Sequence, residues 1–377
     1  MSTSKDTTRS GQGRDKKVEP LELFFDLVFV FALTQVTALM AYEPTGNGLV
    51  KGLLILTAIW WAWGAYAWLT NEVDTRLWTV RLAVFASMAA MLIVALAIPK
   101  AFAGDAVLFA VAYLIVRLLH ILLFAAGTDN VDVKTATRLI APSALIGPLL
   151  ILTAAAFDGT AQILIWVLAL TIDIGGTTLR GIDGWNLSAS HFAERHGLIV
   201  IIALGESIVA IGVGASEVKL DAGALLATTC GIAVAAALWS TYFDSGLDEV
   251  EHRLEAAAPG HDRNTMARDS FSLLHLPMIA GIVLLALGVK KTLGHVDHHL
   301  ELVPAIALCG GVALYLLADV AFRRRCLGRI ERARIAAALV LLVLIVPATH
   351  VVALVSLAAT ALVCVALVVY EVRLGAA

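Results

Sequence analysis

Twelve apolar runs, each about the length that crosses a bilayer, follow one another through 377 residues. They lie near 20–41, 49–69, 79–99, 105–126, 137–157, 161–180, 192–214, 221–243, 271–290, 301–322, 333–349 and 351–373. Each run is continuous and rich in Leu, Ala and Val. A membrane barrel would alternate every second residue, so helices are expected. The chain is 60% hydrophobic and 15% charged, against roughly half and a quarter in a soluble domain. Its mean hydropathy is +0.87, which excludes a soluble enzyme or a coiled coil. A net charge of -3 gives no basic footprint for nucleic acid. The expected fold is an all-α polytopic membrane protein of about twelve transmembrane helices, with the lipid bilayer as its first partner. The last two runs are joined only by Pro347-Ala348-Thr349-His350, so eleven spans stays open.

The first residues are polar and lack a short apolar segment ending in a small-residue cleavage site. The first run is therefore expected to be a retained span behind a disordered basic tail, 1–17. Three of the cysteines (Cys230, Cys309 and Cys364) lie in apolar runs and Cys326 in a basic loop, which is no disulfide framework. With the N-terminus inside, five lysines (Lys51, Lys100, Lys219, Lys290 and Lys291) fall on the outer side. Arg117 and Arg195 fall within spans, and the remaining lysines and arginines fall inside. That bias places both termini in the cytoplasm. The Ala-, Leu- and Arg-rich usage suggests a bacterium and hence its plasma membrane.

An internal repeat is expected. Asn71-Glu72-Val73-Asp74-Thr75-Arg76-Leu77 follows the second run, and Asp248-Glu249-Val250-Glu251-His252-Arg253-Leu254 follows the eighth. These are polar residues, so shared hydrophobicity does not produce the match. Leu27, Ala32, Leu33 and Gln35 also align without a gap to Leu198, Ala203, Leu204 and Glu206. The halves would be two parallel six-helix repeats, 18–190 and 191–377, with a path at their interface.

Charge at membrane depth is costly, so each ionisable residue there is a candidate for function. Glu22 and Asp26 are four apart and share a face of the first helix, with Thr37 three turns further. For Glu22 a solvated helix-start carboxylate is an equal alternative. The seventh helix carries Glu194, Arg195 and His196 at its start and Glu206 in mid-span. Gly197, Gly205, Gly212 and Gly214 would let a neighbour approach. Tyr113, Arg117 and His120 form one stripe, with Arg117 a counter-charge for Asp26, Asp173 or Glu206. Tyr315, Asp319 and Arg323 form another, with Arg323 expected to snorkel to the interface. Asp173 precedes Gly175-Gly176-Thr177-Thr178, which either breaks the sixth helix at a cavity or gives a flexible exit. His275 reads as a satisfied core histidine.

His191, Glu194 and His196 lack the one-face spacing of a zinc protease. The tract His295-Val296-Asp297-His298-His299 could hold a divalent metal, though unspecifically. There is no Walker motif or nucleophile elbow, so no cofactor, catalytic residue or ATP-driven step is expected.

The run Pro20-Leu21-Glu22-Leu23-Phe24-Phe25-Asp26-Leu27-Val28-Phe29-Val30, with Glu194-Arg195-His196-Gly197 and Leu204-Gly205-Glu206-Ser207, resembles the bacterial low temperature requirement A (LtrA) family over about 17–373. The resemblance implies an integral membrane protein and supplies no settled chemistry. Phe24-Phe25-Asp26 is also similar to the Phe-Ser-Asp motif of two-repeat potassium channels. The second half departs, setting His196-Gly197 opposite Phe25-Asp26.

The expected function is a carrier or channel for a cation, proton or small solute. Asp26 and Glu206 would be ion or proton sites, and Arg117 and Arg195 counter-charges. The alternatives are an intramembrane enzyme on a lipid or isoprenoid, using Glu194, Arg195 and His196, and a membrane sensor or assembly factor.

Overall fold

The computed structural model describes residues 17–180, 183–216 and 218–375. The expected basic tail, apart from Lys17, lies outside the described residues. Everything regular among them is helical. Six helices form the first half: α1 (Pro20–Tyr42), α2 (Gly46–Glu72), α3 (Trp78–Ala97), α4 (Ala106–Ala126), α5 (Val131–Ala154) and α6 (Gly159–Arg180). They are followed by α7 (Ala189–Ser216), α8 (Ala222–Phe243) and the short α9 (Leu247–Ala256). The chain ends with α10 (His261–Gly294), α11 (Leu302–Leu327), α12 (Arg332–Ala348) and α13 (Ala353–Gly375).

Local chemistry sets the starts of these helices. Pro20 occupies the first turn of α1, where its missing N–H is not needed, and Glu19 and Glu22 close a capping box. Thr45 caps α2, Asn130 caps α5 and Asp221 caps α8, each accepting a backbone N–H in the first turn. Both α10 and α11 contain a π turn, at Arg268–Leu273 and Ile306–Gly310. One extra residue in each is accommodated without ending the helix.

Two ends of the bundle can be told apart by what their loops touch. At one end Glu19 accepts from Thr75, Asn71 donates to the Asn186 carbonyl, Arg268 donates to the Thr178 carbonyl and Arg329 pairs with Glu249. At the other end Pro44, the 295–301 loop and the 350–352 turn line one cavity. There Ala353 N–H donates to the His298 carbonyl at 2.7 Å. Glu43 caps the α1–α2 turn by accepting from Lys51 at 3.0 Å, and that ammonium holds its carboxyl below the ordinary value.

Among the described residues, eleven helical stretches are long and apolar enough to cross a membrane by length and composition. α12 has 17 residues, about 25 Å at 1.5 Å per residue. It nevertheless runs from Arg334, paired with Glu371 at the first end, to His350 at the second. Twelve long helices therefore join the two ends.

α10 is the most enclosed of the spans and α6 the least. α10 packs on α7, α11 and α1, while α5 packs on α6 and α8 on α13. Leu164 and Val167 of α6, Val343 and Val346 of α12, and Leu362 and Val369 of α13 face outward, as a lipid-facing surface requires. Of the α7 glycines, Gly214 does admit a close neighbour, since a Cβ there would lie 3.0 Å from Leu293 Cβ. Gly205 and Gly212 have open space beside them. A Cβ on Gly281 or Gly288 of α10 would instead lie 2.6 Å from the Gly311 carbonyl oxygen or the Leu308 Cα of α11. One further expectation is corrected. The Gly175-Gly176 pair does not break α6, because Gly176 packs over Ser143 inside a continuous helix. The matched polar heptapeptides also differ in form: the first runs from the end of α2 into a loop, and the second is helical within α9.

Gly288→Ala is expected to destabilise by about 1–3 kcal/mol through overpacking against backbone that cannot yield, read as a lower Tm in detergent. Gly205→Ala should leave Tm unchanged. Cysteines introduced at Arg329 and His350 should label from opposite faces of the membrane.

Candidate functional site

The sequence 20–30 puts both acidic residues of α1 on one face, and that face meets α7. The two helices run side by side in the same direction. Glu22 lies opposite His191, Asp26 opposite Arg195, and Thr34 opposite Glu206. Arg195, fully buried, sits between the two carboxylates. Its Nη1 is 3.1 Å from Glu22 Oε1 and its Nη2 donates to Asp26 Oδ1 at 2.8 Å. His191 Nε2 is 2.9 Å from Glu22 Oε2, the oxygen that also accepts from the Glu19 backbone N–H. Trp63 Nε1 donates to Asp26 Oδ1 at 2.9 Å, and the same ring lies 5.8 Å from the guanidinium. The solvated alternative for Glu22 is thus excluded, since it is 1% exposed.

Beyond this cluster the seam is apolar. Phe29, Leu33, Ile59, Ile199 and Ile279, with Trp60 and Trp63, enclose a small void whose lining is wholly apolar. Past it, Glu206 accepts from Thr34 at 2.5 Å and is 1% exposed. The other α1 candidate, Thr37, turns its hydroxyl to the Leu33 carbonyl.

Arg117 resolves to one of its three possible partners. Its Nη2 donates to Asp173 Oδ1 at 2.6 Å, joining α4 to α6 away from the α1–α7 seam. Tyr113, one turn from Arg117, donates to the Ala58 carbonyl of α2. His120 lies one turn further, its ring 5.6 Å from Tyr66 and 4.9 Å from Phe124.

Asp319 belongs to a third cluster. Arg323 does not snorkel. It is 2% exposed, pairs with Asp319 at 3.1 Å and donates to the Thr241 and Ser245 carbonyls. The reason is that α11 and α8 supply acceptors closer than the interface. Arg334 of α12 completes the group, bonding Asp319 and making a two-pronged contact with Glu371 at 2.8 Å. His275 is satisfied on both nitrogens, by Tyr242 Oη at 2.8 Å and the Ser270 carbonyl at 2.9 Å.

The constellation Glu194, Arg195 and His196 does not converge. Glu194 is exposed and accepts from the Val18 N–H, while Arg195 turns to α1. His196 is buried among Trp63, Phe192, Phe271 and His275, with Nδ1 2.8 Å from the Phe192 carbonyl oxygen. Among the described residues no group of three His, Cys, Asp or Glu side chains is arranged to hold a metal, the 295–299 tract included.

Residues that sequence reasoning passed over carry much of this geometry. Trp63, Thr34, Arg334 and Glu371 each complete a buried charge. The signal for Trp63 was the cluster Trp60-Trp61-Ala62-Trp63 in an otherwise aliphatic run. Thr34 carried none, because a lone threonine in an apolar helix commonly bonds its own backbone.

Comparison with known proteins adds the following. The family model described as bacterial low temperature requirement A protein (LtrA) matches residues 17–369. An uncharacterized protein of Rhizobium meliloti (strain 1021) is 29% identical over 316 residues, covering 80% of this chain and 76% of that one. No solved structure matches at a significant level.

Arg195→Met leaves two buried carboxylates uncompensated and is expected to cost about 3–5 kcal/mol, seen as a large fall in Tm in detergent. Adding Asp26→Asn should restore part of that loss.

Proposed function

We propose that this chain, which belongs to the bacterial low temperature requirement A family, is a transport protein. In this reading it moves a cation, proton or small solute along the seam between α1 and α7, in a bacterial plasma membrane with both termini inside. The observation that carries the reading is the layout of that seam. A cluster of Glu22, Asp26, Arg195 and His191 lies toward one end and Glu206 with Thr34 toward the other, with a closed apolar segment between them.

Charge counting supports a proton-carrying step. Two carboxylates face one guanidinium, with the His191 ring against Glu22, so the cluster is short of one positive charge. Glu206 has the Thr34 hydroxyl beside it and no basic group within 4 Å among the described residues, the Lys290 ammonium acting on it from further off, so it is suited to exchange a proton or a cation. The apolar segment favours a carrier or a gated channel over an open pore, since the stations are not joined by a continuous polar path.

Two parallel six-helix repeats also suit the packing. α1 contacts α2 and α3 as α7 contacts α8 and α10, and α3–α4 and α4–α5 recur as α10–α11 and α11–α12. Tyr113 of α4 donates to an α2 carbonyl, and Tyr315 of α11 donates to an α8 carbonyl.

In proteoliposomes containing a pH-sensitive dye, wild-type protein is expected to dissipate an imposed pH gradient. Glu206→Gln and Asp26→Asn should each slow that flux at least tenfold while retaining the wild-type elution profile. Wild-type rates in both variants would overturn the assignment.

A further inference from the structure

A cavity of about 60 Å³ opens between α2, α4, α6 and the first turns of α10, room for a few waters at roughly 10–15 Å³ each. Arg117 and His120 of α4 line its depth, Trp61 and Gly64 its α2 wall, and the half-buried Thr178 and Arg268 its mouth. Gly64 is itself buried, yet a Cβ on it would meet nothing within 4 Å, so the open space runs up to the α2 backbone.

Polar atoms are left over at this depth. Arg117 spends Nη2 on Asp173 at 2.6 Å, while its Nε and Nη1 have no hydrogen-bond partner among the described residues. His120 has none on either ring nitrogen, although the Ala65 backbone stands beside it. Asp173 lies behind Arg117 and does not line the cavity. Its Oδ2 is also without a hydrogen bond of normal geometry, and Trp61 is its neighbour there. Arg117 and His120 are each 2% exposed, so leaving these groups unmade is costly. The second half has no such remainder. There Arg323 and Arg334 are used up by Asp319, Glu371 and the carbonyls of Thr241 and Ser245.

Charge and polarity narrow the occupant. Each arginine at the cavity is matched, Arg117 by Asp173 and Arg268 by Asp269, both at 2.6 Å. With no surplus of either sign, neither an anion nor a cation is drawn in. The free atoms in the lining are of both kinds: the guanidinium offers two donors, and a neutral imidazole offers one donor and one acceptor. The occupant is therefore small, neutral and able both to give and to accept hydrogen bonds, which describes water.

We infer that the cavity is a hydrated inlet. A cluster of waters bridges Arg117 and His120 and keeps His120 in proton exchange with the membrane face that carries Arg268. A proton arriving along the cluster adds to the free nitrogen of His120, and the other nitrogen returns its own proton to a water. The ring ends neutral and the proton count is unchanged. The site lies within the first half and does not rest on the transport reading.

The test uses the full-length chain, labelled with nitrogen-15 at histidine, in lipid bilayers. Solid-state NMR follows the transfer of proton polarisation from water to the imidazole nitrogens. His275 is the dry reference, since Tyr242 Oη and the Ser270 carbonyl occupy both its nitrogens. Each signal is identified by its loss in His120→Gln or His275→Gln. Build-up at His120 is expected to be at least threefold faster than at His275. Gly64→Val fills the space beside the α2 wall and should slow His120 at least threefold. Should that variant fail to fold, Thr178→Trp at the mouth is expected to slow it at least twofold. The inference is overturned by build-up at His120 no faster than at His275, or by an unchanged rate at His120 in whichever variant folds. Neither readout depends on flux through the α1–α7 seam.

Discussion

Everything in this bundle depends on how it neutralises charge where water is excluded. A lone ion at membrane depth costs several kcal/mol, so each buried arginine has recruited a carboxylate from another helix or from the next turn. Arg195 ties α7 to α1, Arg117 ties α4 to α6, and Arg334 ties α12 to α11 and α13. Hydrophobic association gives little specificity between helices that are equally at home in lipid. The ion pairs supply it, since any other arrangement of neighbours would strand a charge. The seam cluster that carries the functional reading is thus also what holds the two halves in register.

The fold was legible because apolar length is a blunt and sufficient signal: twelve runs became twelve long helices. Errors came where one residue's neighbours decided the outcome. Gly175 and Gly176 resemble a helix break on propensity, yet Ser143 packs against the latter and the helix continues. Arg323 resembles a snorkelling anchor on position, yet Asp319 one turn away and the carbonyls of Thr241 and Ser245 hold it inside. The α1 face was legible from the spacing of Glu22 and Asp26 alone. Its partners were not, because Arg195 and His191 lie 169 residues away and helical periodicity says nothing about which helix stands opposite.

The cavity on Arg117 and the seam share a wall. Trp60 lines the cavity beside Arg117, and its ring lies 5.0 Å from and tilted against that of Trp63, whose indole donates to Asp26. Trp60 and Trp68 are in turn pinned by Ser272, in the π turn of α10. The same aromatic layer therefore borders both places.

The two π turns have a mechanical consequence. Each holds one residue more than a regular helix needs, so the surplus can migrate along the helix while both ends stay anchored. Every side chain it passes is rotated by about 100°, the angle per residue at 3.6 residues per turn. In α10 the surplus lies at the end that carries Arg268 and in α11 at the opposite end, by Cys309. Two adjacent, tightly packed helices therefore carry their surplus residues at opposite ends of the bundle.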